Sequence, residues 1–147
     1  MKGFAEDGFS LLELLLSIAL IGILLAASFP VYQQVQNKNA AMLAANTIEQ
    51  TVHRATLLAR SGAQDSAWGV KVASGSVTLF SGDSYAARDT AFDEVFTFST
   101  TVQFSTTPEM VFAKQTGVQP ADQTIGVSSH GESVVTLTIL TSGVVNR

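Results

Sequence analysis

Residues 8–16, GFSLLELLL, open a long apolar segment on which the architecture of the chain depends. Residues 9–31 are dominated by Leu, Ile, Ala and Phe, and no charged residue occurs between Leu14 and Asn37. A helix rises about 1.5 Å per residue, so this segment would extend for roughly 35 Å, which is long enough to cross a bilayer. The sequence therefore predicts a membrane helix over residues 9–31.

Glu13 is the one charged residue inside this segment. A carboxylate in the membrane centre costs about 2.5–3.5 kcal/mol on insertion scales, so it is by default a functional residue that needs a partner. Because Glu13 lies near the start of the segment, it could instead sit among the lipid headgroups. Its position alone leaves both interpretations open.

A removable secretory signal is an alternative explanation of the apolar segment. Such signals have an apolar core of about 7–15 residues after a basic stretch. Here the apolar part is longer, and residues 1–8 carry one Lys and two acids. Cleavage after residues 26–28, Ala-Ala-Ser, stays open as a weaker possibility.

Gly8, Phe9 and Glu13, followed by a continuous apolar helix, resemble the prepilin signal shared by type IV pilins and the pseudopilins of type II secretion. The resemblance implies that a prepilin peptidase removes residues 1–8 as a leader by cutting after Gly8. It also implies that Phe9 becomes the N-methylated N-terminus. Family leaders usually carry Lys or Arg just before the cut, whereas this chain has Glu6 and Asp7 there.

The resemblance also implies roles inside the helix. In a filament, Glu13 would pair with the free amine of Phe9 in a neighbouring subunit and so set the register of assembly. Gly22 and Pro30 match the helix-perturbing positions of the family. Because Pro lacks an N–H and clashes with the preceding turn, we expect a kink or a locally unwound stretch between them.

Residues 32–62 continue the helical pattern but become amphipathic. Apolar or small residues recur at spacings of three and four on one helix face: Ala41, Ala45, Ile48, Val52, Ala55 and Ala59. Arg60 and Gly62 then supply a cation for the last turn and a residue able to take the left-handed cap conformation. The helix is thus predicted to end at residue 62.

Residues 63–147 change to an alternating, β-rich pattern. Trp68 to Val72 and Ser76 to Phe80 predict a hairpin, and further β runs cover residues 95–104, 109–113, 124–127 and 134–140. Residues 81–93 predict a surface loop. The fold class is therefore α+β: a long N-terminal helix, half membrane and half amphipathic, packed on a mainly antiparallel, pilin-like sheet domain.

A weaker resemblance concerns this domain. VQFS at residues 102–105, Gly117 and VTLTI at residues 135–139 are similar to the minor pseudopilin of type II secretion denoted by the letter H. An ordinary pilin remains an equal alternative.

Composition limits the possible partners. The 147 residues include 8 Lys+Arg, 12 Asp+Glu and no Cys, so there is neither a disulfide nor a thiolate metal site. A mildly acidic chain argues against a nucleic-acid partner. Beyond Arg60 the cations Lys71, Arg88, Lys114 and Arg147 are scattered in the sequence.

No residue pattern predicts catalysis, a metal or a cofactor. His53 and His130 lack second ligands at a metal spacing, and His130 with Glu132 lacks a nucleophile elbow. The carboxylates of Asp83, Asp89, Asp93 and Glu94 could bind calcium, but an acidic solvated loop fits their spacing better. Trp68 is predicted to be a packing anchor.

The sequence thus predicts a structural subunit, not an enzyme, of a type IV pilus or a type II secretion pseudopilus. The implied partners are a prepilin peptidase, other pilin or pseudopilin subunits and an inner-membrane assembly platform. The subunit would be a single-pass protein of the inner membrane that then enters a cell-surface or periplasmic filament. A single-pass membrane anchor carrying an extracytoplasmic binding domain is the alternative.

Overall fold

The structure, a computed structural model, describes residues 9–147, and for residues 27–31 it describes the backbone alone. The predicted leader, residues 1–8, lies outside the described residues. The chain divides into two compact units, Met1–Gln36 and Asn37–Arg147. Helix α1 runs over Leu11–Ser61, and a 3-10 turn over Ala63–Asp65 follows it.

The described part of the first unit is helical. The α-helix is continuous through Gly22 and Pro30, so the backbone has no unwound turn between them. The side chain of Pro30 lies outside the described residues, and a bend of the helix axis at these positions stays a prediction. Among the helices of the described residues, none is both long and apolar enough to cross a membrane.

The second unit contains two antiparallel four-stranded sheets. The first has the strand order β3-β2-β1-β5 and the second β4-β6-β7-β8. Their strands are β1 Trp68–Ala73, β2 Ser76–Ser81, β3 Asp89–Thr97, β4 Val102–Phe104, β5 Glu109–Phe112, β6 Gln123–Ser129, β7 Glu132–Ile139 and β8 Val145–Asn146.

The predicted hairpin is confirmed. Strands β1 and β2 pair from Trp68 opposite Ser81 to Ala73 opposite Ser76, and the chain reverses at Ser74-Gly75. The predicted runs at residues 109–113, 124–127 and 134–140 correspond to β5, β6 and β7.

Two strand predictions are wrong in their extent. Residues 95–104 are not one β run, because β3 ends at Thr97 and β4 begins at Val102 in the other sheet. The chain turns between them, where the Val102 N–H donates to the Ser99 carbonyl at 3.0 Å. The predicted loop at residues 81–93 is too long, since β3 begins at Asp89. This early start depends on an irregular register with β2 that pairs Ser81 with Asp89.

The helix packs on the sheet domain, as predicted. The six face residues Ala41, Ala45, Ile48, Val52, Ala55 and Ala59 are at most 1% exposed. They join a single hydrophobic cluster with β1 and β2 residues of the first sheet and β6 and β7 residues of the second. The α+β, pilin-like fold is confirmed.

The end of α1 is also where the sequence places it. Gly62 has φ 65°, in the left-handed region, and its N–H donates to the Ala59 carbonyl at 3.1 Å. The same carbonyl accepts the Gln115 N–H at 2.7 Å. Arg60 donates from Nη2 to the Ser142 carbonyl at 3.0 Å, so the last turn is tied to two later segments of the chain.

Candidate functional site: the N-terminal helix segment

Ser10 determines how α1 begins. Its Oγ accepts the backbone N–H of Glu13 at 3.2 Å, and its carbonyl accepts the Leu14 N–H at 3.2 Å. A Ser at the cap with Glu three residues later is the pattern of a capping box. The carboxylate of Glu13 therefore lies in the first turn, near the positive end of the helix dipole. The sequence interpretation missed this cap, although the spacing of Ser10 and Glu13 was the signal for it.

The Glu13 side chain is exposed. Within residues 9–147 the structure gives its carboxylate no hydrogen bond or ion pair, while its backbone carbonyl accepts the Ser17 hydroxyl at 2.8 Å.

Apolar side chains surround this carboxylate on all sides of the helix. Phe9 is 83% exposed, and each of the following apolar side chains is at least 55% exposed: Leu11, Leu12, Leu14, Leu15, Leu16, Ile18, Leu20, Ile21, Ile23, Leu24 and Leu25. A helix that is apolar all round is normally buried in lipid or among other helices. A contiguous exposed surface of this kind marks a site of interaction.

The predicted site residues are distributed along this segment. Gly8 lies outside the described residues, and Phe9 directly precedes the Ser10 cap. Gly22 lies within α1, where an added Cβ would meet nothing within 4 Å. The roles of Gly8, Phe9, Glu13, Gly22 and Pro30 in cleavage, methylation, register and bending stay predictions.

The fold and this apolar segment define a pilin-like protein. A family model described as the prokaryotic N-terminal methylation motif matches residues 4–29. No curated protein and no solved structure matches the chain. The chain thus carries the N-terminal signature of type IV pilins and pseudopilins, which indicates a processed precursor and a structural subunit rather than an enzyme.

The histidines do not form a site together. His53 is exposed on α1, with Nε2 4.0 Å from Glu49 Oε1. His130 lies in the turn between β6 and β7 with φ 50°. In the described part of the chain no group of three His, Cys, Asp or Glu side chains could hold a metal ion.

Two of the four carboxylates considered for calcium are ion-paired. Glu94 accepts hydrogen bonds from both Nη atoms of Arg54, at 2.7 and 2.6 Å. Asp93 accepts a hydrogen bond from Arg88 Nε at 2.8 Å. The hydrogen bond to Asp93 raises the pKa of the Arg88 guanidinium above its ordinary value. These carboxylates balance cations of the same domain, and among the described residues Asp83 and Asp89 have no ion-pair partner.

The scattered cations are likewise neutralised locally. Lys71 Nζ lies 4.0 Å from Glu109 Oε2, Lys114 pairs with Asp65, and Arg147 pairs with Glu49. Each of the four scattered cations, Arg88 included, thus has an acidic neighbour, which weakens any field that would attract phosphate.

Trp68 is a packing anchor, as predicted. It is 5% exposed, and its Nε1 donates to the Ala63 carbonyl at 3.0 Å. Its ring meets that of Phe92 edge to face at a centroid distance of 6.3 Å.

Proposed function

We propose that this chain is a structural subunit of a type IV pilus or a type II secretion pseudopilus. In this proposal it is cleaved after Gly8, methylated at Phe9 and assembled through its N-terminal helix. The observation that carries the proposal is the methylation motif at residues 4–29, on a helix whose apolar side chains are exposed on all sides.

Cleavage gives the carboxylate of Glu13 a chemical partner. It would create a free amine at Phe9, four residues from Glu13 and thus about 6 Å along the helix axis. In a packed helical core with little water, an unpartnered charge is strongly penalised, whereas a paired one is tolerated. An incoming subunit would therefore settle at the axial height where its Glu13 meets the amine of a neighbour.

The exposed apolar segment would serve in two environments. Before assembly it anchors the precursor in the inner membrane, where the prepilin peptidase acts and an assembly platform collects the subunits. After assembly the same side chains pack against the helices of neighbouring subunits in a surface or periplasmic filament. The chain contributes packing and register, and the energy for assembly comes from other components.

Replacing Glu13 with Ala tests the register role in cells that make the filament. We expect Glu13→Ala to insert and be processed but to reduce filament yield at least tenfold, because the amine of a neighbouring Phe9 is then left buried without a partner, at a cost of about 3–5 kcal/mol. Ser17→Ala is the matched control, since it changes a polar side chain one turn further along the same face. Sheared-filament yield is measured beside the processed protein in the membrane.

Normal filament yield from Glu13→Ala would refute the pairing. If domain function and membrane retention were also unchanged in cells that lack the assembly motor, the chain would be a membrane-anchored binding domain instead.

The N-terminus of the natural protein tests processing independently. Intact and peptide mass spectrometry should find a chain that begins at Phe9 with one added methyl group. A chain that begins at Met1 would contradict cleavage, and one that begins near Phe29 would indicate a secreted soluble domain.

A further inference from the structure

A cleft of about 310 Å³ lies within the second unit. Three separate parts of the chain form its wall: the turn after α1, the end of β2 with its following loop, and the start of β3. The lining residues are Gln64, Ser66, Ser81, Gly82, Ala87, Asp89 and Phe92.

Asp89 is the only ionisable residue in this lining. Its Oδ1 accepts the Ala91 N–H at 3.0 Å, and among the described residues its Oδ2 has no hydrogen-bond partner. The hydroxyls of Ser66 and Ser81 and the amide oxygen of Gln64 are further acceptors. The lining therefore carries one negative charge and several hydrogen-bond acceptors, and it contains no cationic side chain.

Arg88, which precedes Asp89 in the chain, does not line the cleft. Arg88 donates from Nε to Asp93 at 2.8 Å and from Nη1 to the Tyr85 carbonyl at 2.7 Å, and its guanidinium stacks 3.8 Å from the Tyr85 ring centroid. These three interactions fix Arg88 outside the lining, so the charge of Asp89 remains available to a ligand.

Phe92 supplies an aromatic wall. It is half-buried and is fixed by its edge-to-face contact with Trp68. An aromatic ring beside a carboxylate favours a cation, because the ring face is electrostatically negative.

The turn after α1, which forms part of the cleft wall, contains two non-glycine residues with a left-handed backbone. Gln64 and Asp65 have φ 56° and 54°, in the left-handed region that non-glycine residues rarely occupy. Residues held in such conformations cluster at ligand sites, where the surrounding structure maintains the strain.

We propose that this cleft binds a primary ammonium group carried on a small polar frame. The ammonium would lie between Asp89 Oδ2 and the ring of Phe92, with its remaining N–H groups donated to Ser66 and Ser81. At about 30 Å³ per water, the cleft has room for roughly ten waters, which suits a single sugar ring or an extended lysine side chain. The ligand is thus either a free amino sugar or a lysine of another protein, and the inference does not depend on filament assembly.

The test uses the full-length protein in detergent micelles and the fluorescence of Trp68, the single Trp of the chain. Because Trp68 contacts Phe92, a bound ligand should alter its emission. The probes are glucosamine and Nα-acetyl-lysine methylamide, and glucose and Nα-acetyl-norleucine methylamide are their uncharged counterparts. We expect at least one amine to saturate with a Kd of roughly 1 mM, and neither counterpart to do so.

Asp89→Asn should weaken binding of that amine roughly tenfold or more, because a charge-assisted hydrogen bond is lost. Asp83→Asn is the matched control, since Asp83 is an exposed acid of the preceding loop that does not line the cleft. Ser66→Ala should weaken binding by a smaller factor. It replaces Asp89→Asn as the test variant if the denaturant midpoint of Asp89→Asn differs from that of the wild type.

The outcomes separate the two ligand sources. Saturation by glucosamine alone identifies an amino sugar, and saturation by the lysine derivative alone identifies a lysine side chain. An equal response to glucose, saturation by calcium chloride in place of the amines, or unchanged binding in both Asp89→Asn and Ser66→Ala would overturn the proposal. The absence of a saturable change up to roughly 50 mM of either amine would overturn it as well.

Discussion

At Gly69 the lack of a side chain lets the ring of Phe80 lie directly against the backbone of β1. These two residues are cross-strand partners, on the sheet face opposite to the buried pair Val70 and Leu79. Phe80 in turn contacts the ring of Tyr85 edge to face at 5.5 Å. A single residue without Cβ thus allows the loop after β2 to be anchored over the sheet.

Gly69→Ala should destabilise the second unit by about 1–3 kcal/mol, because overpacking forces buried side chains to move. A Cβ at this position would lie 2.2 Å from Phe80 Cζ and within 2.8 Å of two other ring atoms. Urea unfolding followed by Trp68 fluorescence measures the change. Gly22→Ala is the control: its Cβ meets nothing within 4 Å, so this variant should not destabilise the second unit. Equal stability of Gly69→Ala and wild type would show that the Phe80 ring does not lie there.

Among the elements, helix α1 differs along its length in how its ends are fixed and in what surrounds it. Its first turn is set locally, by Ser10 accepting the Glu13 N–H. Its last turn is set by a residue beyond it, Gly62, whose left-handed backbone directs the chain into the domain. Between them the helix changes from an exposed apolar surface at residues 11–25 to a face buried by the sheets from Ala41 onward.

Gly62→Ala should cost about 1 kcal/mol, since an L-residue pays roughly that amount in the left-handed region. An added Cβ would meet nothing within 4 Å beyond its own chain neighbours, so the cost comes from the local backbone conformation and not from a clash with other residues. Gly62→Asn should cost less, because Asn tolerates this conformation better. Unfolding midpoints of the three proteins measure the order, and an Ala variant as stable as wild type would contradict the left-handed cap.

At the scale of the whole molecule, one hydrophobic core serves both sheets of the second unit. Ile48 and Val52 of α1 belong to the same cluster as Val70 of the first sheet and Leu137 of the second. The helix is thus the common element on which both sheets depend.

Ile48→Ala should destabilise the second unit by about 2–5 kcal/mol, because it removes a fully buried side chain and leaves a cavity. Both sheets should lose stability together, since they share this core. Trp68 fluorescence follows the first sheet, and amide hydrogen exchange in β6 and β7 follows the second. Leu57→Ala is the control, because Leu57 is 65% exposed and its removal should change stability by no more than about 0.5 kcal/mol. Destabilisation of one sheet alone would contradict a shared core.

Much of the architecture could be predicted because it depends on short-range patterns. The buried helix face from Ala41 to Ala59, the cap at Gly62 and the hairpin of β1 and β2 each follow from residue spacing or backbone preference within a few positions. The N-terminal motif with Phe9 and Glu13 is equally local. That is why the methylation motif is readable from sequence, although the solved structures offer no match.

Other features could not be predicted because they join residues that are far apart in the chain. The division of residues 95–104 between two sheets, the bidentate pair of Arg54 with Glu94 and the cleft around Asp89 each require segments that meet only after folding. The local sequence specifies helix α1, its apolar and amphipathic halves and the N-terminal methylation motif, because periodicity and capping act within a few turns. Strand pairing and cleft formation were left to the fold, because their free energy comes from burial and hydrogen bonds between distant segments, which no local pattern encodes.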